Sequence, residues 1–186
     1  VPSTLELREG VNGLALIAAT DLDVLWRQIA SADEARDALQ DVLPGLVDVY
    51  GAAAAAFAAD WYDDLRDEVN APLRFTAVPV EVPDTGAEAL ARWGIGPLFA
   101  AEPDWASART LVAGGLQRRI ADQARATITG SSLLDPSAVG WRRVGDGHSC
   151  EFCSMLLGRG AVYTSESVKF RSHDHCGCSA APEWRN

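Results

Sequence analysis

Residues 46–68 read LVDVYGAAAAAFAADWYDDLRDE, and this stretch decides the fold class. Val47, Tyr50, Ala54, Phe57, Trp61 and Leu65 recur at three- and four-residue intervals, which puts them on one side of a helix. The alanines between them let a second helix approach closely. The acids at the end, Asp60, Asp63, Asp64, Asp67 and Glu68, belong on a solvated face. The longest apolar run, Gly51 to Ala59, falls far short of the roughly 20 residues that a bilayer span requires. A packed helix in a soluble protein is expected.

Working outward, the same period continues on both sides. Pro2 and Ser3 open a helix in which Leu5, Leu14, Ile17, Leu22, Leu25 and Trp26 fall near helical spacing, closing near Ile29. Ser31 followed by Glu34 is a capping-box signature, and the helix it starts turns Ala35, Leu39 and Val42 inward. Pro44 is expected to kink or break it. Downstream, Asn70-Ala71-Pro72 stops the helix, and Pro79 and Pro83 mark Arg74 to Val82 as an extended surface segment. Ala87 to Trp93 reads as a short helix. Asp104 caps a long one from Trp105 to Ile128, with Leu111, Leu116, Ile120 and Ala124 as its stripe. Gly130 to Pro136 has linker composition. The chain therefore divides into a helical body (1–130), a linker (131–138) and a tail (139–186).

Charge follows that division. The 186 residues carry a net −10, from 26 acids and 16 bases. Residues 1–138 hold 21 acids and 10 bases, whereas 139–186 hold 5 acids and 6 bases. An acidic body repels phosphate, which argues against broad nonspecific DNA binding by that part. No basic-then-apolar start of a secretory signal is present in the sequence.

All four cysteines and all three histidines lie between His148 and Cys178. Cys150 and Cys153 form a C-x2-C pair, and His173-Asp174-His175-Cys176-Gly177-Cys178 follows about twenty residues later. Thiolates at C-x2-C spacing converge on one tetrahedral ion. His173 with Cys176, or His175 with Cys178, can complete the site. Structural zinc is the reading this spacing favours. It also fits a tail too small to bury much surface, because zinc contributes on the order of 10–16 kcal/mol of apparent binding energy near neutral pH. The metal candidates are Cys150, Cys153, His173, Cys176 and Cys178, more than one ion needs, with His148 and His175 as neighbours. Disulfides, a thioredoxin-type redox pair and plain reduced cysteines are the competing readings. A zinc deaminase is excluded, since its His-x-Glu and Pro-Cys-x-x-Cys signature is missing from the sequence. Trp141 and Trp184 are expected to form the small core of the tail.

No catalytic apparatus stands out. His148-Ser149-Cys150 sets nucleophile types beside a histidine, but adjacent side chains seldom converge. Gly114-Gly115 lies inside a helical pattern and makes no phosphate loop. A non-enzymatic protein is expected.

Gly140-Trp141-Arg142-Arg143-Val144, then Cys150-Glu151-Phe152-Cys153, Leu156, Arg159-Gly160, Val162-Tyr163 and the closing His173–Cys178 segment resemble the MuF-like minor head proteins of tailed bacteriophages. Their terminal domain carries Cys-x-x-Cys, a short helix and a closing His-x-x-Cys-x-Cys, which His173, Cys176 and Cys178 match here. The resemblance is specific over 139–186 and only architectural before it. It implies a component of the phage head (the virion), made in the host bacterial cytoplasm. There it would sit beside the portal and/or major capsid protein and act in head assembly and genome delivery. Membrane contact is not implied. The tail bases Arg142, Arg143, Arg159, Lys169 and Arg171 can approach packaged DNA if they share a face. A zinc-stabilised nucleic-acid-binding regulatory module is the alternative, and a thiol oxidoreductase or cysteine hydrolase a third. The expected fold is mainly α: a helical N-terminal body with a small α+β Cys/His-rich, zinc-binding C-terminal domain.

Overall fold

The computed structural model describes residues 2–82, 86–145, 147, 150–164 and 170–184. Ser3 caps α1 (Thr4–Trp26), its hydroxyl accepting from the Glu6 N–H at 3.1 Å. Ser31 caps α2 (Ala32–Glu68) in the same way, and Glu34 reaches back to the Ala30 N–H at 2.9 Å. Asp104 caps α4 (Trp105–Leu134) through the Ser107 N–H. All three caps read from the sequence are in place, each satisfying a donor that a helix start would otherwise leave open.

Two boundaries differ from expectation. Pro44 lies inside α2, which runs unbroken for 37 residues. Leu39, Leu43 and Val47 on either side are fully buried, and their burial offsets the hydrogen bond that proline cannot donate. α4 runs on to Leu134, so residues 131–134 of the expected linker form its last turn. Ser131 and Ser132 are buried there, and Ser132 returns its hydroxyl to the Ile128 carbonyl.

α2 and α4 form the centre, with α1 packed on both and α3 (Ala87–Gly94) closing the other side. α2 is long and apolar enough to cross a membrane. Here it packs against three helices instead, with Arg66 buried among its contacts. Between α2 and α3, residues 71–82 carry no regular structure. The backbone N–H groups of Leu73, Ala77, Val80 and Val82 donate to Ser137, Asp63, Thr127 and Gln123 side chains, fastening the segment along the bundle.

After α4, β1 (Ala138–Val144) pairs antiparallel with β2 (Ser179–Trp184), Arg143 opposite Ala180. α5 (Glu151–Leu157) lies between them in sequence. Tyr163 bridges the other edge of β1 at Trp141. Gly140 stands at φ +141°, and a Cβ there would sit 2.8 Å from the Tyr163 carbonyl, so only glycine allows this approach. The core is continuous: Trp141, Tyr163 and Ala180 join the same apolar cluster as Leu7, Leu43 and Ile120.

Candidate metal centre

Cys150 is the N-cap of α5, and its Sγ accepts from the Cys153 N–H at 3.5 Å. This leaves Cys150 exposed and turns Cys153 inward, to 1 % exposure. The second half of the site is a tight loop. Cys176 N–H donates to the His173 carbonyl at 3.2 Å, and His175 adopts a left-handed φ of 59° at the corner. Cys176 and Cys178 are buried, and β2 starts immediately after them.

The two halves meet. Cys150 Sγ lies 3.3 Å from His173 Nε2, and Cys153 Sγ lies 4.0 Å from Cys176 Sγ. The five donors form two overlapping triads, Cys150/Cys153/His173 and Cys153/Cys176/Cys178, each with ligand atoms mutually within 4.8 Å. The donor spacings compare with an edge of about 3.8 Å for a tetrahedron of thiolates around zinc. The His173 ring is aimed by its other nitrogen, Nδ1, which lies 2.8 Å from the Asp174 carbonyl. A proton on Nδ1 leaves the Nε2 lone pair for an ion, the usual arrangement of a metal-bound histidine. All five candidate ligands are thus brought together. The four cysteines form no disulfide.

The electrostatics divide the thiols. The Cys153 N–H and His173 hold the Cys150 thiol below its ordinary value. Burial pushes Cys153 up, and the Cys178 side chain together with burial takes Cys176 up to about 12. His173 is raised by its bond to the Asp174 carbonyl and by Cys150. A cation entering here must displace protons from the inner thiols, so its binding is coupled to pH.

A family model described as VG15 protein matches residues 3–186. The chain belongs to the VG15 protein family. It is therefore a viral, phage-like gene product. No curated protein and no solved structure matches it.

In this VG15 protein the His173–Cys178 loop is held by α4. Arg125 donates Nε and Nη2 to the Cys178 carbonyl at 3.0 and 2.9 Å, and Nη2 also to the Cys176 carbonyl at 2.7 Å. Asp122 accepts from the Ser172 hydroxyl at 2.8 Å, and Arg118 pairs with Asp174 at 3.2 Å. Positions 118, 122 and 125 lie on one helix face, and that spacing is the signal that could have found them. His175 stands outside both triads, its ring seated over Gly114, where a Cβ would collide with it. His148 and Lys169 lie outside the described residues.

Two expectations need correction. Trp141 is buried as expected and stacks on Tyr163 at 4.3 Å, but in the core shared with the helices rather than a separate one, and Trp184 packs edge-on against Tyr62 of α2 and donates to Asp135. It anchors the sheet to the helices. Arg143 is 4 % exposed and cannot reach DNA with Arg142 and Arg171, which are exposed. Strand alternation explains this, since Arg143 shares the inward face of β1 with Trp141 while Arg142 points out and pairs with Glu183. Nη2 of Arg143 donates to the Arg171 carbonyl at 2.6 Å, Nη1 lies 3.8 Å from Cys153 Sγ, and its guanidinium covers the Phe170 ring at 3.7 Å.

Proposed function

We propose that this chain is a minor head protein of the MuF-like kind: a structural, non-enzymatic component sited at the portal inside the phage head. Zinc staples its C-terminal part. The observation that carries this reading is the meeting of the Cys150/Cys153 pair with the His173–Cys178 loop, in the order the MuF-like motif has them. The viral, phage-like family supports the setting. Zinc would be held by four of Cys150, Cys153, His173, Cys176 and Cys178, and would supply rigidity rather than chemistry.

The acidic helical body docks on protein, the portal or the major capsid subunit. Any approach to packaged DNA falls to exposed tail bases such as Arg142, Arg159 and Arg171. Assembled heads analysed by cross-linking and mass spectrometry test this. Cross-links from α1 or α2 to the portal, at a few copies per head, are the expected result. Absence of the chain from purified heads overturns it. A steep salt dependence of DNA binding by the free chain would instead favour a nucleic-acid module.

A further inference from the structure

Arg143 is a buried cation on the inner face of β1. The residue is 4 % exposed, yet among the described residues no carboxylate pairs with it. Its neighbours are a carbonyl, an aromatic face and the sulfur of Cys153, and its Nε is buried with no hydrogen-bond partner. Arg125 differs in this respect. That residue also lies over Phe170, but its charge is balanced by Asp122 at 2.7 Å. A buried cation without an anion costs several kcal/mol. Four neutral donors would leave that cost standing.

We propose that Arg143 is the built-in counter-cation of an anionic metal–thiolate cluster, and that its charge tunes the affinity of the site for a divalent thiophilic ion. This rests on the metal reading above. A divalent ion with three thiolates and one imidazole carries −1, and with four thiolates −2. Either way the cluster places negative charge on Cys153 Sγ, the atom both triads share and the one that Arg143 faces. An N–H donor to a thiolate is a charge-assisted hydrogen bond, stronger than one to a neutral thiol. Phe170 and the Arg171 carbonyl hold the guanidinium in place, so little order is lost when the ion binds. Arg143 is then a positioning residue that touches a ligand and not the metal.

The test uses the full chain with Zn2+ and a competing chelator, folding being followed by circular dichroism. Arg143→Met is expected to weaken Zn2+ binding about ten- to hundredfold, the range of a hydrogen bond to a charged group. Arg143→Lys, which keeps the charge, is expected to recover most of that loss. Arg92→Met, removing an exposed charge on α3, should leave affinity unchanged. Met binding as tightly as the unaltered chain, or Lys faring no better than Met, overturns the proposal.

Should the Met variant not fold, arginine-selective dicarbonyl labelling of the unaltered chain provides a second reading. Chelation is expected to raise labelling of Arg143 more than that of Arg125, and equal changes overturn the proposal. A chain that takes up no Zn2+ ends the metal reading itself, whereas uptake indifferent to residue 143 ends only this inference.

Discussion

Asp135 is the residue on which the structure turns most sharply, and nothing local in the sequence marks it beyond its place before a proline. Its Oδ2 accepts from Arg66 Nε and Trp184 Nε1, each at 2.9 Å, and from the Tyr62 hydroxyl at 3.2 Å. Oδ1 takes the Ser137 N–H at 2.9 Å. One carboxylate therefore joins α2, the end of α4 and β2. Burial works to raise its pKa, but the bonds from Trp184, Ser137 and Arg66 outweigh that and hold it below the ordinary carboxylate value. A depressed folded pKa gives a contribution that is complete above about pH 4, the unfolded value, and lost as pH falls through the folded one. Removing one partner of a buried ion pair costs about 3–5 kcal/mol. Asp135→Ala is expected to lose that much in urea unfolding at pH 7, and to flatten the acid limb of the stability curve. A loss under about 1 kcal/mol would show that the hub contributes little.

Among the elements, what was legible in the sequence is what is local. The caps at Ser3, Ser31 and Asp104 depend on groups three residues apart, so the chain displays them in full. The two Cys/His pairs are visible in the sequence for the same reason, and the fold brings them together into groups that could hold an ion. Pro44 does not break α2, because local propensity counts its missing N–H but not the burial of Leu43 and Val47 beside it. Arg143 was misread as a surface base because its role depends on Phe170 and Cys153, distant in sequence, although strand alternation with Trp141 gave a hint. α2 offers a direct check of this contest between propensity and packing. Proline inside a helix costs about 3 kcal/mol relative to alanine. Pro44→Ala is accordingly expected to raise stability by roughly 1–3 kcal/mol, since a half-buried site gains the hydrogen bond without overpacking. No change in the denaturation midpoint would mean that α2 has already relaxed around the ring.

At the scale of the whole molecule, the question is whether the tail is a zinc module in its own right. A classical zinc finger is unfolded without its ion and folds by itself once the ion binds. Here the ligands lean on a long helix: Arg125 holds the carbonyls of Cys176 and Cys178, Asp122 holds Ser172, and Arg118 holds Asp174. The sheet leans on it too, through Asp135 and Trp184, and Arg8 of α1 donates to the Gly145 carbonyl at 2.8 Å. Trp141 is buried in a core shared with the helices, so cutting after Ala138 exposes an indole that is 1 % accessible in the whole chain. A fragment of residues 139–186 is therefore expected to bind Zn2+ at least about tenfold more weakly than the full chain, because the loop must be ordered without its clamps. Its proton spectrum is expected to lack the dispersion of a folded core. The reverse dependence should be weaker, since α2 and α4 pack along each other more extensively than α4 packs on the sheet. Chelating the full chain is expected to leave most of its helical circular dichroism intact while lowering the melting midpoint. Full affinity and native dispersion in the fragment would establish an autonomous module, and the clamps from α4 would then serve only to orient it on the body.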